Sequence, residues 1–195
     1  MGVRSQVRFD SYHDAPCRLA EDLVNTFNVV RHVEKLPDVP SLARFLDDRE
    51  FTVIQPLTRG DLESVRALRA RLRGIFESSS EEDAVGVLNA ILKDCHALPF
   101  LTRHDEEPWH MHVTEPHAPV AEQVGAVAAM GLLTVIGGGG FSRLHVCDGR
   151  RCEEVFVDAS RNQSRRYCSP AICGNRAHAA ARRARARRRQ PTPRR

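Results

Sequence analysis

Four of the six cysteines in this 195-residue chain fall within 27 residues, as Cys147-x4-Cys152 and Cys168-x4-Cys173 with 15 residues between the pairs, and no other feature limits the fold so strongly. Two pairs at this spacing bring four soft donors within reach of one ion. Tetrahedral sulfur coordination favours zinc, and a closed set of four thiolates leaves no open position for water, so the site is expected to be structural. Iron–sulfur ligation uses the same ligands and stays open on spacing alone. The roughly 50 residues around the pairs hold so few aliphatic side chains that burial alone does not stabilise them, and metal binding is expected to supply the missing folding free energy.

A disulfide framework is the competing use of clustered cysteines, and the rest of the sequence argues against it. No stretch approaches the roughly 20 uncharged apolar residues needed to cross a bilayer. The opening MGVRSQVRFD lacks the apolar run of a secretory signal. The chain is therefore expected in the cytoplasm, where thiols stay reduced. Cys17 and Cys95 stand alone and read as small core residues.

The formal net charge of +4 conceals a strong asymmetry. Residues 143–195 carry 15 arginines against four acids, a surplus of +11, while residues 1–142 carry 14 basic and 21 acidic residues, or −7. Such a split implies that the C-terminal part meets a polyanion, whereas a basic tail without a specific partner is the blander alternative.

Before the cysteines the periodicity is helical. Leu19, Leu23, Val24 and Phe27 in LAEDLVNTF have helix-compatible spacing, and Pro40 and Ser41 open a short helix, SLARFLDDRE. From Thr58, apolar residues recur every three or four positions (Leu62, Val65, Leu68, Leu72, Ile75, Phe76) with Thr58 and Asp61 as a capped start. The serines Ser78 to Ser80 end that helix and cap an antiparallel partner carrying Val85, Leu88, Ile91, Leu92 and Cys95. LPFLT and WHMHVT form a hairpin around the polar turn HDEEP. A further helix spans Ala118 to Ile136 and stops at Gly137 to Gly140, the expected domain boundary.

Around the cysteines, Asp148 and Gly149 suit a tight turn, and Val155 to Val157 suit a short strand beneath it. Gly174 and Asn175 lead into RAHAAARRARARRR, rich in helix-forming alanine and arginine. The expected fold is mainly α. A helical N-terminal domain with a small β-hairpin covers residues 1–140, a small treble-clef-like zinc finger ending in a basic helix covers 141–190, and a disordered tail covers 191–195. On the helix, Arg176, Arg183 and Arg187 line one side and Arg182, Arg185 and Arg189 broaden it. Arg161, Asn162, Arg165, Arg166 and Tyr167 add to the surface between the pairs. Arginine's planar fork suits phosphates and guanine edges, and a helix roughly 10 Å wide fits the major groove. Only Phe156 and Tyr167 are available for base stacking, which favours duplex DNA over RNA. An RNA-associated or protein-interaction adaptor is the alternative.

CSPAICGNR, preceded by FVDASRNQSRRYCS, resembles the CGNR zinc-finger family of bacterial proteins, with Cys173, Gly174, Asn175 and Arg176 spelling its motif. LAEDLVNTF is similar to the start of the ABATE-type domain that usually precedes this finger. The resemblance spans nearly the whole chain. It implies a transcription regulator whose finger binds one structural Zn2+ and DNA and whose N-terminal domain senses a ligand or stress signal. Carried onto this sequence, Cys147, Cys152, Cys168 and Cys173 fall on the metal ligands, and Arg161, Arg165, Arg166, Asn175 and Arg176 on the basic motif. The acids Glu153 and Glu154 beside Cys152 depart from the pattern and weaken the local positive field.

Nothing in the sequence recommends an enzyme. GGGG lacks the lysine of a phosphate-binding loop, and no G-x-S-x-G or H-E-x-x-H is present. His104, His110, His112 and His117 lie among acids, and His110 and His112 share a strand face at a chelating spacing, yet alternating histidines on a hairpin are more often polar surface. Asn25, Thr26 and Trp109 are candidate liners of a small-molecule effector site in the N-terminal domain. A nucleoid-associated homodimer is expected by analogy with regulators that read two half-sites.

Overall fold

The computed structural model describes residues 15–103 and 109–189. The expected HDEEP turn and the tail at 191–195 lie outside the described residues, as do the side chains of Arg187 and Arg189. The architecture is mainly helical with three two-stranded antiparallel sheets among the described residues.

The first helix, α1 (Ala15–Val24), is shorter than the pattern predicts. The chain leaves it so that Thr26 can donate its hydroxyl proton to the Leu23 carbonyl (2.6 Å), and a minimal hairpin of β1 (Phe27–Asn28) and β2 (Val33–Glu34) follows. Helix α2 (Val39–Asp47) begins one residue before Pro40, because Asp38 is the cap and accepts from the Ser41 amide at 2.9 Å. Helix α3 (Arg59–Phe76) has the expected reciprocal cap, with the Thr58 side chain accepting from the Asp61 amide and the Asp61 carboxylate from the Thr58 amide. Ser80 caps α4 (Glu81–Asp94). The hairpin β3 (Phe100–Thr102) and β4 (His110–His112) pairs Leu101 with Met111.

Helix α5 (Val120–Gly137) lies at the centre, buried along Val124, Ala126 to Ala129, Leu132 and Val135 against α1, α3 and α4. Against the expectation that no stretch approaches a bilayer span, α5, at 18 residues, is long and apolar enough to cross one; with 61% of it buried inside the protein, it is a core helix. At Gly131 the backbones of α5 and α1 approach so closely that a Cβ would stand 2.6 Å from the Cys17 nitrogen, which explains a glycine in the middle of a core helix.

Past the glycines, a hairpin of β5 (Leu144–Val146) and β6 (Val155–Val157) pairs Leu144 with Val157 and Val146 with Val155. Strand alternation splits it between two cores. Leu144, Val155 and Val157 join the main hydrophobic core, while Phe156 faces the cysteines. The last helix is α6 (Asn175–Arg189), entered through a π turn over Pro170–Gly174.

Candidate metal centre and basic helix

Cys147 leaves the end of β5, Cys152 closes the turn after it, and Cys168 and Cys173 bracket the entry to α6. The four Sγ atoms lie within 4.8 Å of one another, with Cys152 to Cys168 at 3.6 Å and Cys168 to Cys173 at 3.8 Å. Four sulfurs bound tetrahedrally at zinc's usual bond length stand roughly 3.8 Å apart. The turn is built for this. The Gly149 and Cys168 amides both donate to Cys147 Sγ at 3.3 Å, and a Cβ on Gly149 would come within 3.1 Å of Cys173 Sγ and 3.2 Å of Cys147 Sγ.

The surroundings of the sulfurs differ. Burial pushes the Cys152 thiol up to about 11 and raises Cys168 as well. Cys147 is held below the usual thiol range, because the Cys168 and Gly149 amide hydrogen bonds outweigh its burial. Several thiolates crowded this closely need a divalent ion to neutralise them, and the tetrathiolate set, without carboxylate or open position, suits one structural zinc.

Beneath the sulfurs, Phe156 is buried, and two residues brace it. The Arg165 guanidinium stacks 4.6 Å from its ring and donates to the carbonyls of Tyr167 (2.9 Å) and Cys168. The buried Asp158 carboxylate accepts from the amides of Ser160 and Arg165 at 2.8 Å each. Burial alone would raise that carboxyl, but these hydrogen bonds and the nearby His145 hold it below the usual carboxylate range. Nothing in the sequence FVDASRNQSRR shows that Asp158 is the acid that turns inward.

The residues read as a nucleic-acid surface divide. Arg161, Asn175, Arg176, Arg182 and Arg183 are exposed, and along α6 only Ala177 and Ala179 are half-buried between Arg176 and Ala186. The exposed Arg166 pairs with Asp148 at 2.8 Å, whereas Arg165 faces the finger's interior. Arg150 and Arg151, absent from the expected set, are exposed on the cysteine turn. Glu153, whose charge looked adverse, lies 3.8 Å from Arg73 of α3, which also donates to its carbonyl at 3.0 Å.

The three candidate effector liners are not brought together. Asn25 is engaged with the Val155 backbone (2.9 Å in both directions), and Thr26 is buried and accepts from Arg69, which forks onto Glu34 at 2.7 Å. Trp109 is 66% exposed beside Arg103. A shallow apolar cleft lies instead among Phe51, Ile54, Met111, His112, Gln123 and Val127.

Geometry and donor set define a four-cysteine zinc-finger protein built onto a helical domain. Residues 17–139 match the ABATE family, described as "putative stress-induced transcription regulator", and residues 143–186 match the CGNR zinc finger. The chain belongs to the ABATE family and carries a CGNR zinc finger at its C-terminal end; neither is a family of catalysts. No curated protein matches the chain.

Proposed function

We propose that the protein is a DNA-binding transcription regulator in which the zinc cluster presents α6 to duplex DNA. The observation that carries this reading is the form of α6. It leaves the cluster at Cys173 and exposes Arg176, Arg182, Arg183 and Arg185 without an acidic residue anywhere along it. Such a rod fits the major groove, and phosphates supply most of the affinity. Arg161, Arg166, Asn175, Arg176, Arg182, Arg183 and Arg187 are the contacting set, joined by Arg150 and Arg151 from the cysteine turn. Arg165 serves by bracing Phe156 and the Cys168 carbonyl. The N-terminal domain receives the signal, and the cleft beside Met111 and His112 is where a small effector would enter.

Selection from random duplexes with zinc-loaded full-length protein tests the reading. Enrichment of one motif, with log affinity falling against log salt by about 0.9 per phosphate contacted, is the expected result. Preference for single-stranded RNA, or binding indifferent to salt, would overturn it.

A further inference from the structure

The sequence places four glycines between the helical domain and the finger, as if the finger hung on a flexible tether, yet the structure fastens the two together along and beside β6. In an antiparallel pair, alternate residues turn their backbone groups away from the partner strand. On β6 these are Val155 and Val157, because Cys147 donates to the Glu154 carbonyl and Asp158 donates to the Arg143 carbonyl on the other side. The outward edge of β6 is bonded to α1 and to Asn25 just beyond its end. The Asn25 side-chain amide donates to the Val155 carbonyl and accepts from the Val155 amide, both at 2.9 Å, in the manner of a neighbouring strand. One helical turn earlier, Glu21 Oε1 accepts from the Val157 amide at 3.0 Å.

We propose that Glu21 and Asn25 are positioning residues that fix the finger's orientation on the N-terminal domain by capturing the edge of β6, and that this hold weakens when Glu21 loses its proton. Neither residue touches the cysteines, so the proposal stands whatever α6 binds.

Three features support it. Hydrogen bonds to a strand edge set orientation as well as contact, because the amide of Asn25 meets both polar groups of one residue. In the segment LAEDLVNTF the other polar residues are engaged elsewhere, Asp22 with Arg49 and Thr26 with Leu23 and Arg69, which leaves Glu21 and Asn25 for β6. Burial lifts the Glu21 carboxyl to about 7, against the Val157 amide bond that favours the charged form. The charges acting on it are Asp22 and Arg18 on α1 and Arg165 from the finger. On the other helices packed against α1, Arg69 of α3 is spent on Glu34, Arg73 on Glu77 and Glu153, and the single ionisable residue of α5, Glu122, faces His96. Desolvation of the carboxylate at the seam outweighs Arg18, Arg165 and the Val157 amide, and protonation relieves that cost while leaving an oxygen to accept from Val157.

The test is amide NMR and hydrogen exchange on the zinc-loaded full-length protein between pH 5.5 and 8.5. The Val157 amide shift is expected to titrate with a midpoint near 7, and the protection of Val155 and Val157, corrected for intrinsic rates, to fall at least several-fold across that midpoint. Glu21→Gln should flatten both profiles with the fold intact. Asn25→Asp, which cannot donate to the Val155 carbonyl, should lower protection at every pH and change the relative orientation of finger and helical domain in residual dipolar couplings. A Val157 shift that does not move over this range, or couplings unchanged in Asn25→Asp, would overturn the proposal.

Discussion

In the helical domain Leu23, Leu42, Leu72, Ile75, Ile91 and Leu132 are fully buried in one continuous core, whereas the finger's own cluster consists of Phe156 with the cysteines around it. The first region can hold its shape by removing apolar surface from water. The second cannot. It draws stability from an ion shared by four sulfurs and from the contacts of Leu144, Val155 and Val157 with its neighbour's core. A region too small for a core therefore becomes rigid through chemistry and through borrowed surface. Along the rod it holds, α6, residues 180–186 are exposed to solvent.

This contrast exposes itself to test most severely at the metal. Cys173→Ser should take bound zinc from about one per chain to well below that by elemental analysis, forfeiting much of the roughly 10–16 kcal/mol that zinc gives to small fingers, with loss of α6 helicity in circular dichroism. Full zinc retention would erase the distinction between the regions. Next in size is the core. Leu132→Ala is expected to cost about 2–5 kcal/mol in denaturant unfolding while leaving zinc content unchanged. Zinc lost in parallel would show that the finger folds only on an intact helical domain.

The seam between the regions predicts a pH effect. Glu21 is raised from its ordinary value of 4.5 to about 7 by burial, so the folded state holds this proton more tightly than the unfolded chain does. Its stabilising contribution, on the order of 3 kcal/mol, is complete below about pH 4.5 and is lost as pH rises through about 7. Melting temperatures of the native protein and Glu21→Gln at pH 6 and pH 8 should therefore diverge, the native protein losing more on the alkaline side. Equal losses would remove Glu21 from the seam's energetics. The smallest effect belongs to the helical domain alone. Thr58→Ala removes the cap of α3 and should cost about 1 kcal/mol, read as a lower denaturation midpoint with no change in zinc.

What could be read from the sequence follows the same division. Helix α3 was legible because its cap and its three- and four-residue periodicity are local, and the cysteine cluster because metal spacing is nearly so. The β1 and β2 hairpin was not, since two residues on each side are too few to show alternation. Val155 to Val157 read as a strand, but that its two faces serve different cores depends on what lies 130 residues away. Asn25 reads in sequence as a polar residue suited to line a ligand site, because its partner, Val155, is that distant. Arg165 and Arg166 look alike in sequence, and only the fold turns one onto Phe156 and the other toward Asp148.

Amide NMR of the full-length protein before and after a zinc chelator addresses the division between the two regions most directly. Resonances of α3, α4 and α5 should keep their dispersion, residues 143–189 should collapse toward unfolded positions, and shifts within the helical domain should concentrate at Glu21, Asn25 and Arg73. A finger whose spectrum survives without metal, or a helical domain that melts with it, would contradict this view of how the chain is held.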